Sequence, residues 1–452
     1  MKRMLRWSGI VLLSMLALGV VLFAVARLSG PTSVQRSALA LLDADEALPG
    51  RNAFPLLWLL DYDVPASQWM AIVEEDVARI EDALARREAG EAMGIDHQSV
   101  AAGRFARISS DTNAPPYCRM RDADCLTTVR AGREAYALRL EKERALLDKL
   151  RSLPDYGHYR NLFPPNLYVP MPRFQALGML GTANALDFVE GRTDAALAAT
   201  CRETMAWRRL SVHGDSLIVA MIGAAMVNGN AQLFAQMLAE LPREHPLPAE
   251  CTGAFDPATL SPDLCPAMRG EARYATWMLQ SRESQPSNPF AALLYDPEGT
   301  RAMLAPTHAY ACTDEAREHM LADMPIPPAP QPDSLWRLEC ADNIVGCVLA
   351  DIAAPAYVDY LGRMQDVQAM LRVMHLMLEL RAGEAPLTPQ TLAARLEADA
   401  VQGRRIEYDP ESARLGIDLR GQHDSPRWQV PLPASMLPPS DDAGADAQGH
   451  AP

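Results

Sequence analysis

The chain has 452 residues, 49% of them hydrophobic, 22% charged and 6% aromatic. This is the composition of a folded protein and excludes a wholly disordered, collagenous or multi-span membrane chain. Formal net charge is -15, and the only charges in the first 28 residues are the cations Lys2, Arg3, Arg6 and Arg27, which leaves -19 on the remainder. A body of that sign repels phosphate backbones and anionic headgroups, which argues against nucleic acid as a partner.

Residues 7–26, WSGIVLLSMLALGVVLFAVA, carry no charge. Twenty helical residues span roughly 30 Å, the hydrocarbon thickness of a bilayer. Lys2, Arg3 and Arg6 precede the run, which sets the expected topology: N-terminus cytoplasmic, the rest across the membrane. The rival reading is a signal peptide cleaved after Ala26, since Ala24-Val25-Ala26 has the small-x-small form. The length of the run and Arg27 just after the cut weigh against cleavage. Either way the body lies outside the cytoplasm, and the expected site is an inner membrane with the bulk of the chain periplasmic.

All eight cysteines follow the apolar run, and an even number in an oxidising compartment favours disulfides over buried thiols. Eight cysteines allow 105 pairings. Cys118–Cys125, Cys251–Cys265 and Cys340–Cys347 are close in sequence, which leaves Cys201 for Cys312. No CxxC occurs, so neither a zinc knuckle nor a thioredoxin-type site is indicated.

Residues 1–28 form the cytoplasmic tip and anchor, and residues 29–50 read as a linker with a short helical stretch near Ser37–Leu48. Ser67 is placed to cap a helix reaching about Ala89. Trp69, Val73, Val77, Ile80 and Leu84 share one face of it, and Glu74, Glu75, Asp76, Glu81 and Asp82 form the solvated face. A second helix covers Leu126–Leu150, with Tyr136, Leu140, Leu147 and Leu150 inward, and Pro154 ends it. Asn161–Pro172 is a Pro-punctuated connector. Helix resumes over Arg173–Val189, breaks at Gly191, and continues from Thr193 or Asp194 to about Leu210. This pair has the look of one tetratricopeptide-like hairpin, without the further copies an array needs. Ser216–Leu241 is the most apolar part of the body, and it reads as a central helix buried all round in its first half.

Residues 246–333 read as loop-rich, with short helices near Met268–Leu279 and Thr313–Leu321 and a Pro run over Met324–Pro332 that serves as a spacer or a polyproline ligand. The longest helical pattern is Asn343–Arg381, kinked near Pro355. Met364, Met370, Met374 and Met377 on it offer either core filling or an adaptable partner surface. A helix over Pro389–Ala398 and strands at Arg405–Tyr408, Leu415–Leu419 and Trp428–Val430 make a small C-terminal α+β subdomain, residues 384–432, after a helical domain over 51–383. Residues 433–452 have almost no apolar content and read as a disordered tail. The expected fold class is mainly α: an irregular multi-helix bundle after one transmembrane helix, with a C-terminal β-hairpin or meander.

NAFPLLWLLDYDVP, GRTDAAL, DSLIVAMIGAA and NIVGCVLADIAAPAYVDYLGRMQDVQAMLR are spread over most of the body. In these stretches the chain resembles a group of uncharacterised, single-pass membrane-anchored helical proteins of Gram-negative bacteria. The resemblance implies a helical extracytoplasmic body on one anchor, and no activity or functional residues.

Gly214-Asp215-Ser216-Leu217, with His213 beside it, matches the nucleophile block of GDSL-type hydrolases. The context differs, because Ser216 lies between two helices in mid-chain and the Asp-x-x-His block that would supply a base is missing. Asp215 and Ser216 also suit an N-cap, and Gly214 a left-handed helix end. Glu315 and His319 stand one helical turn apart and offer two of the three ligands a metal needs, but with no third partner identifiable they read as an exposed i,i+4 pair. His375 reads as a packed core histidine, and Tyr156, His158 and Tyr159 as a stacking group or as packing for a loop. With no catalytic, cofactor or metal set assembled, the expected function is non-enzymatic. It is a protein-interaction or scaffold role in the cell envelope, with a protein partner there and no cofactor. The alternatives are a GDSL-like envelope hydrolase and a small-molecule or peptide receptor. A deep pocket with convergent polar groups favours either alternative, and a broad apolar patch favours the scaffold.

Overall fold

A computed structural model describes residues 2–44, 47–91, 98–108, 115–120, 124–166, 168–281, 285, 287–327, 337–353, 357–383, 387–399, 404–421 and 425–436. The chain is mainly helical with a small antiparallel sheet near its C-terminus, as the sequence patterns predict. Helix α1 (Lys2–Ser29) contains the whole apolar run and leaves nearly all of it exposed. It is long and apolar enough to cross a membrane.

Past Gly30 the segment expected to be a linker forms α2 (Ser33–Leu42). Thr32 and Gln35 close a reciprocal capping box at its start, so the helix begins earlier than Ser37. Ala38 and Leu42 are buried against Ala305 and Ala309 of the body.

Helix α3 (Phe54–Trp58) is wholly buried. A 3-10 turn over Ala66–Gln68 leads into α4 (Trp69–Glu88), so Ser67 lies inside the turn and does not cap. The apolar stripe faces inward as expected, but Asp76 leaves the solvated set and is 0% exposed. It accepts hydrogen bonds from Trp58 Nε1 at 2.8 Å, the Val100 amide at 2.8 Å and Ser99 Oγ at 2.5 Å. A buried carboxylate survives only with such partners, and these come from segments that helical periodicity does not see.

The second expected helix is three: α5 (Cys125–Ala131), α6 (Arg133–Lys142) and α7 (Arg144–Leu150). The breaks fall at Gly132 and at Glu143, a buried carboxylate that accepts from the Tyr117 hydroxyl and Arg139 Nε. Tyr136, Leu140, Leu147 and Leu150 are buried as expected.

The hairpin of α8 (Gly178–Val189) and α9 (Thr193–Val212) turns at Gly191, whose φ of 84° suits glycine. Helix α9 packs against both α8 and the central α10 (Leu217–Ala239). The stretch expected to be loop-rich contains α11 (Cys251–Ala254), α12 (Cys265–Gln280), α13 (Pro289–Leu293), α14 (Pro297–Ala309) and α15 (Asp314–Leu321). Their N-terminal Pro and Asn signals, as in Asn288-Pro289 and Asp296-Pro297, also read as turns. Of the Pro run, residues 328–332 lie outside the described residues.

The long helical pattern divides into α16 (Ile344–Ala353) and α17 (Val358–Ala382); Pro355 lies outside the described residues. Met364, Met370, Met374 and Met377 are buried and fill the core. After α18 (Pro389–Ala398), strands β1 (Ile406–Asp409), β2 (Arg414–Asp418) and β3 (Arg427–Pro431) form a meander in that order. Ile406 pairs with Ile417, and Ile417 with Trp428.

The inward face of the meander belongs to the same core as α8–α10 and α17, and Trp428 Nε1 donates to Asn228 of α10 at 2.7 Å. A buried ion network adds to this attachment. Arg404 donates to both Asp323 and Asp366, and Arg420 reaches Asp323 at 3.2 Å. Residues 434–436, placed by the sequence in the disordered tail, form a 3-10 turn that buries Met436; residues 437–452 lie outside the described residues.

All eight cysteines are paired. Cys118–Cys125 and Cys340–Cys347 are joined as expected. The other two expected pairs are corrected: Cys201 joins Cys251 and Cys265 joins Cys312, with Cα atoms 5.0 and 4.6 Å apart. Cys251 opens α11 against α9, and Cys265 opens α12 against the turn after α14, so sequence neighbours face different helices. These two long loops gain roughly 4 kcal/mol each from closure in the chain-entropy picture, against roughly 2.5 kcal/mol for each short one.

Candidate functional site

A large open cleft of about 1110 Å³ lies beside the N-terminal half of α10. Leu217, Ile218, Met221, Ile222 and Ala225 supply its floor. This overturns the expectation that the first half of α10 is buried all round: Ile218 is 49% exposed, while Leu233, Phe234, Ala235, Met237 and Leu238 in the second half are buried. The connector after Asn161 forms one wall with Phe163, Pro164, Pro165, Val169 and Met171. Helix α12 contributes Glu271, Arg273 and Tyr274, and α17 contributes Tyr360 and Arg363.

Two glycines set the approach of these walls. A Cβ at Gly270 would collide with the backbone carbonyl of Asp215, so glycine lets α12 touch the turn before α10. A Cβ at Gly229 would sit 2.7 Å from the carbonyl of Met120, which lines the far end of the cleft.

The GDSL tetrapeptide lies at the cleft, held by backbone pairing. The Tyr159 amide donates to the His213 carbonyl at 3.2 Å, and the Asp215 amide to the Tyr159 carbonyl at 3.0 Å. Gly214 does not adopt a left-handed conformation, and the Ser216 side chain makes no capping bond. Glu271 of α12 stands beside the start of α10, where the Leu217 amide partly offsets the upward push of burial on its carboxyl.

Asp215 accepts from the Asn161 amide at 3.0 Å and pairs with Arg273 at 3.3 Å. Burial nevertheless pushes the Asp215 carboxyl above its ordinary range, and desolvation raises Glu271 in the same way. Asp215 is therefore already committed to the connector and to Arg273, and Glu271 stands beside the helix end. Asn161 and Asn166 spend their side-chain oxygens on the Phe163 and Tyr168 amides, which leaves their NH2 groups as donors at the cleft. Arg363 binds Asp359 at 2.7 Å.

The other candidates are dispersed. His213 does not line the cleft. His319 contacts the Pro325 carbonyl at 2.8 Å while Glu315 is exposed, and among the described residues no three potential ligands converge on a metal position. His375 is partly exposed, 3.5 Å from Glu379, and is not a core residue. Tyr156 and Tyr159 are buried, Arg51 stacks on Tyr156, and His158 bonds the Pro49 carbonyl. They pack the loop that carries the GDSL turn and do not line the cleft.

Glu271, Arg273, Tyr274, Tyr360 and Arg363 have no motif in the sequence. The one available signal was the uncharged run Leu217–Val227 starting at a polar turn, which core and cleft share. Fold and site together define a mainly helical, disulfide-stapled chain with an apolar N-terminal helix and one large open cleft. The chain matches no known family, no curated protein and no solved structure.

Proposed function

We propose that the protein is a non-enzymatic, membrane-anchored binding component of the cell envelope, and that its cleft takes an extended, apolar-rich peptide segment of an envelope partner. The observation that carries this reading is the exposed apolar face of α10 held open beside the Pro-punctuated wall. Drug-sized ligands occupy sites of roughly 300–1,000 Å³, and this cleft is larger and open. Methionines at its floor and rim, Met120, Met171 and Met221, suit a surface that accepts varied apolar side chains. The NH2 groups of Asn161 and Asn166 match backbone carbonyls of an extended chain.

The apolar N-terminal helix and the four disulfides support an extracytoplasmic body in an oxidising compartment. On the charge pattern before the helix, we assign the inner membrane with the body in the periplasm. The anchor is read as retained and not cleaved after Ala26.

The test is fluorescence anisotropy of labelled ten-residue apolar-rich peptides on the full chain in nanodiscs. Saturable binding that weakens at least ten-fold in Ile218→Glu is expected. Binding of fatty acids but of no peptide would overturn the ligand class. The hydrolase reading keeps one favouring observation, Ser216 at the cleft, although no histidine among the described residues lines it. Fluorophosphonate labelling abolished by Ser216→Ala would replace the binding role with catalysis.

A further inference from the structure

Helix α16 is amphipathic in the wrong sense for a soluble surface. Gly346, Cys347 and Ala350 are buried toward the body, yet the opposite face carries Ile344, Val348, Leu349 and Ile352, all exposed, Ile352 by 71%. Its neighbour α13 extends the patch: the Val345 amide donates to the Leu294 carbonyl, which follows α13, and Phe290 and Leu293 are 70% and 58% exposed. Contiguous apolar surface of this kind marks a partner or membrane contact.

The position of the patch identifies the partner. The last turn of α1 rests on the 3-10 turn Leu338–Cys340, where Ala26 becomes buried. Arg27 pairs with Asp342 at 3.5 Å and lies 3.9 Å from Asp296. Asp342 is two residues before α16, and Asp296 two residues after Leu294. The Cys340–Cys347 disulfide staples the same turn to α16. The point where the apolar run of α1 ends is thus bound to the base of the exposed patch.

We propose that α13 and α16 lie in the surface of the bilayer that α1 crosses, as an in-plane, monotopic contact. This rests on reading α1 as a retained membrane anchor. Ten residues of helix reach about 15 Å, half of what a span needs, so α16 lies on the membrane and does not cross it. Interfacial helices bury such a face roughly 5–10 Å into the headgroup and acyl boundary. Phe290 is placed where aromatic rings favour that boundary. The net negative body offers no electrostatic attraction to anionic lipid, and the only charge on α16, Asp351, is paired with Arg337 at 3.4 Å. The contact is therefore apolar and indifferent to headgroup charge.

The experiment uses the full chain in vesicles that contain phosphatidylcholine with a diazirine on its acyl chain, with and without phosphatidylglycerol. After irradiation, labelled residues are mapped by peptide mass spectrometry. Labels on α1 and also on Phe290 and the Ile344–Ile352 face, equal in both lipid mixtures, are expected. Val348→Asp with Ile352→Asp, at exposed positions, should cut the α13 and α16 labels at least ten-fold and leave those on α1 unchanged. Labels confined to α1 would overturn the surface contact and leave the anchor standing. Absence of label from α1 would overturn the anchor and this proposal with it. Labels on α13 and α16 that stay unchanged in the double variant would also overturn it.

Discussion

The two halves of α10 have similar apolar composition and opposite surroundings. Leu233, Phe234, Ala235, Met237 and Leu238 meet α9, α17 and the sheet and lose all contact with solvent. Ile218, Met221 and Ile222, on the same helix, face the cleft. Hydropathy alone cannot make that distinction, because it reports the side chain and not what stands opposite.

Truncation measures the difference. Phe234→Ala should cost about 3–5 kcal/mol, because the ring packs 4.7 Å from Phe255 and the cavity cannot collapse. Ile218→Ala should change stability by less than about 0.5 kcal/mol while it weakens peptide binding. Chemical denaturation of both variants checks the pair. If Ile218→Ala destabilises as much as Phe234→Ala, the N-terminal half belongs to the core and the cleft reading fails. Arg404→Ala belongs with the large effects at up to about 3–5 kcal/mol, since it removes the buried cation that Asp323 and Asp366 share, while Arg420 and Arg372 stay beside Asp323 and the Arg420 and Gly421 amides beside Asp366. A loss below about 1 kcal/mol would mean that the network is open to water.

What the sequence disclosed and what it withheld divide along the same line. The α4 stripe, the Gly191 turn, α18 and the three strands follow from periodicity and caps, which are properties of neighbours in the chain. Cys118–Cys125 and Cys340–Cys347 were legible because a short loop leaves few alternatives. Cys201–Cys251 and Cys265–Cys312 depend on which helix faces which. Asp76 was misassigned for that reason too, since its donors at Trp58, Ser99 and Val100 are tertiary. The cleft needed four separate segments to converge on Ser216, and of its lining the sequence had singled out only the tetrapeptide, the apolar run after it and the Pro-punctuated connector.

A buried carboxylate inside the core gives a pH handle on the comparison. Glu203 on α9 is closed off from water, accepts from Asn184 Nδ2 at 2.8 Å, and burial pushes its pKa up to about 8. Unfolded, it titrates near 4.5, so between these values the folded state holds a proton that the unfolded state has lost. Its stabilisation is therefore complete below about 4.5 and drains away as pH rises through about 8. Glu203→Gln, which cannot ionise and can still accept from Asn184, should flatten that decline by on the order of a few kcal/mol. Equal pH slopes for both proteins in urea melts would show that Glu203 is ionised in the fold.

The smallest expected effects test who caps α10, and they decide how the GDSL match is read. A helix N-terminus leaves its first amides without partners, and Asp215 and Ser216 are the local residues suited to satisfy them. Neither does so. The Ser216 side chain makes no capping bond, Asp215 is occupied by Asn161 and Arg273, and the carboxylate beside the Leu217 amide is Glu271 of α12. Glu271→Ala should therefore cost up to about 1 kcal/mol, the value of a carboxylate near a helix N-terminus, and loosen the junction where Gly270 lets α12 approach. Ser216→Ala should change stability by less than about 0.5 kcal/mol, with peptide binding nearly intact because a single small hydroxyl is lost from a large surface. Paired melts settle the order. Ser216→Ala costing more than Glu271→Ala would return the capping role to the tetrapeptide.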